Sequence, residues 1–116
     1  MGRRSEEALK PQWFQILLAV ADRPLHGAAI REEVLERTDG TMRLWPGVLY
    51  GSLDELAERG WLHETTAPAD APTEGGKRRF WSITAAGKRA LSHEAARLES
   101  FVRAAREKRV LRGGTA

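Results

Sequence analysis

Pro46 and Gly60 bracket the segment that most constrains this chain. Proline suits the first turn of a helix, where its missing N–H costs nothing. Glycine suits the left-handed residue that ends one, and the apolar Trp61 and Leu62 that follow are of the kind that pack back on such an ending. Between the brackets, Leu49, Leu53 and Leu56 repeat at helical spacing, which predicts a helix from Pro46 to Arg59 with one buried stripe. The chain then changes period. Trp61 to Thr66 and Arg79 to Thr84 alternate bulky and polar residues and should pair as a hairpin whose tip, Ala67 to Gly76, lies in an Ala-, Pro-, Asp- and Gly-rich loop.

A single short helix and a hairpin cannot cover each other, so the stripe needs further helices. Upstream, Trp13, Ile16, Leu17 and Val20 line one face of a helix read over residues 11 to 22, begun by Pro11 and stopped at Asp22-Arg23-Pro24. Gly27 to Arg37 forms a second helix with Ile30 and Val34 inward, an i, i+4 pair between Glu33 and Arg37, and an end at Asp39-Gly40. His26 reads as a helix-entry residue making a local hydrogen bond. Downstream, Thr84 is an N-cap candidate for a long helix reaching Arg112. Within that helix Leu91, Ala95, Leu98, Val102 and Ala105 step by 4, 3, 4 and 3, a heptad seam that would be exposed if the helix stood alone. A second copy of the chain is its expected partner, the alternative being that the seam packs on its own domain.

With 116 residues the sequence has room for one ordinary domain. The reading divides it into a flexible arm over 1–10, a compact unit over 11–84 and the terminal helix over 85–112. Hydrophobic residues at 41% and charged residues at 30% fit a water-soluble core-forming chain, and the longest apolar run, Ile16 to Ala21, is six residues, far short of a membrane span. Cysteine is absent, so disulfides, thiolate metal sites and cysteine nucleophiles are excluded, and a cytoplasmic setting is expected. His26, His63 and His93 stand at no metal-ligand spacing and beside no catalytic partner, while Gly75-Gly76-Lys77 lacks the strand and glycine of a phosphate-cradling loop. No metal, no cofactor and no enzymatic activity are expected.

The formal charge of +3 is unevenly spread. Residues 85–116 hold eight bases against three acids, and a second basic cluster, Lys77-Arg78-Arg79, sits in the hairpin. Such clusters attract phosphate backbones.

Three helices, the third sharply bounded, followed at once by a hairpin with a basic loop, is the order of a winged helix-turn-helix: a mainly α fold with a small β-hairpin, extended here by the long terminal helix. In that arrangement the third helix enters the major groove of double-stranded DNA and the hairpin reaches a backbone. Removing the three core leucines leaves Gly47, Val48, Tyr50, Gly51 and Ser52 to face the groove, with Asp54 and Glu55 expected to point along or away from it. Lys77, Arg78 and Arg79 are the expected backbone anchors. Trp13 and Phe14, with Phe101 beside the heptad seam, could line a slot for a small aromatic effector. A winged-helix module that binds protein instead of DNA is the competing reading, favoured by the acids on the third helix and opposed by the hairpin bases.

Leu25-His26-Gly27, then Pro46-Gly47-Val48-Leu49-Tyr50 with Leu53, Leu56, Gly60, Trp61 and Leu62, then the run from Gly76 to Gly87, resemble the PadR family of transcriptional regulators over about residues 13–112. The resemblance implies a homodimeric winged-helix repressor in which the C-terminal helix makes the dimer and small-molecule effectors release DNA in some members. The length is similar to that of the short subfamily with a single terminal helix. Three positions depart from the family pattern: Trp45 stands where Ser is usual, Val48 where Thr is common and Gly51 where Pro is frequent.

Overall fold

A computed structural model describes residues 8–66 and 79–112. The elements run α1 (Pro11–Ala19), β1 (Leu25–His26), α2 (Gly27–Arg37), α3 (Pro46–Glu58), β2 (Leu62–Thr65), β3 (Phe80–Ile83) and α4 (Ala85–Glu107). The arrangement is the expected winged helix-turn-helix with a long terminal helix. No helix of the described residues is long and apolar enough to cross a membrane.

Three helices end by the same device. After α3, Gly60 takes φ +79°, the Gly60 N–H bonds the Ala57 carbonyl at 2.9 Å and the Trp61 N–H bonds the Leu56 carbonyl at 3.0 Å. This pairing satisfies the last carbonyls of the helix and turns the chain into β2. Asp39 and Gly40 repeat it after α2, with the Gly40 N–H on the Leu35 carbonyl at 2.8 Å. Arg109, at φ 64°, repeats it after α4, where the Val110 N–H bonds the Ala105 carbonyl at 2.9 Å. That turn ends α4 at Glu107, five residues before the expected Arg112. Helix α1 also stops early, at Ala19.

The sheet has three strands in the order β1-β3-β2, all antiparallel. Strands β2 and β3 pair as foreseen, from Leu62 opposite Ile83 to Thr65 opposite Phe80. The third strand was not foreseen. Leu25 pairs with Trp81 and His26 with Phe80, so the residues read as a helix entrance also close the sheet edge. His26 performs both tasks, because its Nδ1 accepts the Ala29 N–H at 3.3 Å as the cap of α2.

The core lies where the helix stripes meet: Trp13, Ile16, Leu17 and Val20 from α1 and its end, Ile30 and Val34 from α2, and Leu49, Leu53 and Leu56 from α3. Leu9 joins them, so the expected arm is anchored to the packed body at that residue. Arg37 latches α2 to α1, donating to the Gln15 side chain at 2.8 Å and to its carbonyl at 3.1 Å while pairing with Glu33 at 2.8 Å. Trp13 and Trp61 meet edge to face at 6.2 Å, and the Arg59 guanidinium lies over both rings, at 4.7 and 5.5 Å.

Thr84 fixes the hairpin to the helices. Its hydroxyl donates to the Gly60 carbonyl at 2.6 Å and accepts the Gly87 N–H at 2.9 Å, and its own N–H bonds the Trp61 carbonyl at 3.0 Å. One residue thus caps α4 and ties it to the end of α3.

Candidate nucleic-acid interface

The face of α3 left free by the core is nearly the one the leucine spacing demands. Gly47, Val48, Tyr50 and Gly51 are exposed, and a Cβ built on either glycine meets no atom within 4 Å. Two glycines in one helix cost about 1 kcal/mol each relative to alanine, so their retention on an open face suits close approach by another molecule. Ser52 corrects the expectation: it is 4% exposed. Its position explains this, since it stands three residues after Leu49 and four before Leu56 and so falls inside the inward stripe. Asp54 and Glu55 are exposed.

Tyr50 is held at its tip. Its hydroxyl oxygen lies 2.6 Å from where a Gly27 Cβ would stand, so the ring rests on bare backbone at the start of α2. With 43% of its surface exposed, the ring is positioned by the domain and still open to a partner.

Arg79 stands at the base of the hairpin. Its guanidinium grips Glu64 across the strand pair through Nε at 3.0 Å and a second nitrogen at 3.2 Å, and lies 4.8 Å from the Trp81 ring. The Glu64 hydrogen bonds, opposed by desolvation and helped by the charges of Glu64 and Asp54, raise its pKa above the ordinary arginine value. The wing base and the outer face of α3 therefore share one electrostatic neighbourhood. Lys77 and Arg78 lie outside the described residues, as does the loop tip over 67–76.

The seam on α4 divides in two. Leu91 packs into the core of its own chain, which corrects its assignment to an interchain seam: the first half of α4 lies against α1. Ala95, Leu98 and Val102 remain exposed and Ala105 half-buried, with Phe101 projecting beside them. At the changeover lies Glu94, 4% exposed, whose carboxylate takes two hydrogen bonds from Arg97, at 3.0 and 2.7 Å. These bonds, with the Leu9 N–H, hold its pKa below the ordinary carboxylate value against the opposing effect of burial. Trp13 is also corrected. It is buried in the core against Trp61, so it lines no open slot; Phe14 is half-buried on the core and Phe101 is exposed.

Sequence reasoning missed Gly27 as the seat of Tyr50, Glu64 as the partner of Arg79, and Glu94. Only the last had a local signal, its i, i+3 spacing to Arg97, and that spacing says nothing of burial. Among the described residues, no cluster of His, Asp and Glu could hold a metal ion.

Comparison with known proteins places these features in a family. The model of the transcriptional regulator PadR-like family matches residues 16–93. An uncharacterized 37.1 kDa protein in a transposon of Streptomyces fradiae is 39% identical over 80 residues, covering 69% of this chain; the chain spans 21% of that relative's length. A PadR family transcription regulator from Clostridium difficile superposes with a TM-score of 0.70 at 17% identity, over 84% of this chain and 97% of that one. Bacillus subtilis PadR in complex with operator DNA gives 0.59 at 18% identity, over 72% of this chain and 45% of that one. A transcriptional regulator from Thermoplasma acidophilum gives 0.64 at 24%, over 83% and 87%.

Proposed function

The chain belongs to the PadR-like family of transcriptional regulators, and from that premise we propose that it is a sequence-specific DNA-binding repressor acting as a homodimer on an inverted-repeat operator. The observation that carries this reading is the outer face of α3, where Gly47, Val48, Tyr50 and Gly51 lie open beside the wing base at Arg79. In the proposed complex this face enters the major groove, Tyr50 gives its hydroxyl to the backbone, and Lys77, Arg78 and Arg79 anchor phosphates. The relative solved with operator DNA supports DNA as the partner.

The outer part of the α4 stripe, exposed Ala95, Leu98 and Val102 with half-buried Ala105, supplies the surface for a second copy. Pairing there would bring two reading helices to one side of a duplex, about 34 Å apart, which matches half-sites one turn from each other. A planar aromatic effector would find Phe14 and Phe101 at that junction, and its binding would loosen DNA. Such a regulator works in the cytoplasm, where its operator is.

Footprinting and mobility shift on the upstream region of the organism's own gene, at two salt concentrations, test the proposal. Protection of an inverted repeat, with affinity falling steeply as salt rises, is the expected result. Salt-independent binding, or none, would overturn it in favour of a protein-binding module.

A further inference from the structure

The turn between α2 and α3 carries the most exposed aromatic ring among the described residues. Trp45 is 63% exposed, although an indole is among the most costly side chains to leave in water. It lines a shallow notch with Arg31 and Leu35 of α2 and with Arg43 and Leu44 of the turn. Arg31, Arg43 and Trp45 are all exposed there. Among the described residues neither Arg31 nor Arg43 makes an ion pair or a side-chain hydrogen bond, unlike Arg37, Arg79 and Arg97, which are all engaged.

The geometry of α2 connects this notch to the reading face. Gly27, Arg31 and Leu35 follow one another at four-residue steps and so form one stripe of the helix. Tyr50 rests on the first of them, and Trp45 lines the notch together with the last two. The stripe is about 12 Å long at 1.5 Å per residue, and it sets two aromatic rings of the α3 start at its ends with a free arginine between them.

We propose that Trp45, Arg31 and Arg43 form a second DNA-backbone contact, remote from the wing, in which the indole lies on deoxyribose edges and the two guanidinium groups take the phosphates on either side. This rests on the DNA-binding reading above. Charge complementarity selects the occupant: an apolar ring flanked by unpaired arginines matches a strand whose sugars alternate with phosphates. The location agrees, because in a helix-turn-helix the first helix crosses the backbone while the start of the second enters the groove, and Trp45 stands at their junction. The contact is to backbone, so it adds affinity without reading bases.

Titrations of the full chain with a duplex selected from a random pool, and with an unrelated duplex, test this. Trp45→Ala should weaken both by about tenfold and equally, as expected for a central aromatic contact. Arg31→Ala and Arg43→Ala should each lower the slope of log affinity against log salt by about one unit. Trp13 and Trp81 are buried and Trp61 is half-buried against Trp13, so much of the fluorescence change on adding duplex should vanish in Trp45→Phe. Thermal melts of each variant should match the parent, because all three side chains are exposed. Unchanged affinity and slopes in a parent that binds duplex overturn the second contact and leave the reading standing. Loss of selectivity alone in Trp45→Ala also overturns it, by making the indole a base reader. A parent that binds neither duplex at low salt overturns both.

Discussion

The Tyr50 hydroxyl occupies the space that a side chain on Gly27 would need, 2.6 Å from the position of its Cβ. The obstruction is the far end of a side chain, so Gly27→Ala should displace the ring and leave the backbone in place. Gly27 opens α2, where alanine gains up to about 1 kcal/mol in helix propensity. The variant should therefore melt no lower than the parent yet bind operator about three- to tenfold more weakly, as loss of one aligned hydroxyl contact implies. Parallel thermal melts and mobility shifts check this; a fall in melting temperature would mean that the ring cannot swing aside.

Arg79 has two suitors, Glu64 in the free chain and phosphate in the complex. An exposed ion pair is worth at most about 1 kcal/mol, so freeing the guanidinium by Glu64→Gln should tighten duplex binding by about two- to fivefold. Arg79→Ala should weaken binding to every sequence and reduce the salt slope by about one unit. The two titrations read opposite signs, and an unchanged affinity and salt slope in Arg79→Ala would place Arg79 outside the interface.

What could be read beforehand followed from the range of the interactions. Pro46, Gly60 and the leucines between them fix α3 through contacts within about one helical turn, and the Gly60 ending appeared as expected, down to Trp61 turning back. The pairing of β2 with β3 was legible for the same reason, as alternation on both strands. Strand β1 was not: two residues carry no period, and its pairing with β3 joins positions more than fifty apart in sequence. Ser52 was not legible as inward, because the three leucines alone do not mark the full width of the buried stripe. Leu91 was misplaced because a heptad seam looks the same whether α1 or a second copy covers it.

Two glycines of the domain should respond oppositely to alanine. A Cβ on Gly87 would overlap the Trp61 carbonyl oxygen and reach 2.9 Å from Ile83 Cγ1, and backbone at that junction is held by Thr84. Gly87→Ala should cost about 1–3 kcal/mol in urea denaturation, as overpacking does. Gly51→Ala meets open space and should stabilise α3 by about 0.5–1 kcal/mol while lowering operator affinity, because the added methyl stands on the groove-facing side.

Acid should loosen the seat of α4. The Glu94 carboxylate, bonded to Arg97 and the Leu9 N–H, titrates below its ordinary value of 4.5 in the folded chain. Unfolding returns it to that value, so the unfolded chain binds the proton more readily and stability falls as pH drops. The contribution is complete above about pH 5 and is lost as pH falls through the lowered folded value. Glu94→Gln should show a smaller loss of stability than the parent between about pH 5 and pH 3, with the curves measured by urea denaturation at each pH. Parallel curves would mean that the carboxylate is as well solvated folded as unfolded.

The two halves of the α4 stripe should separate folding from assembly. Leu91 is in the core, so Leu91→Ala should cost about 2–3 kcal/mol of protomer stability. Leu98 and Val102 face outward, so a charge there disturbs no packing within the chain. Leu98→Glu combined with Val102→Glu should keep the helical content of the parent but sediment as a monomer at micromolar concentration. Operator affinity should fall with it by at least about a hundredfold, since each half-site must then be held without the other's effective concentration. If the doubly charged variant stays dimeric, the copies meet elsewhere, and the spacing of the two reading helices must be sought from that other surface.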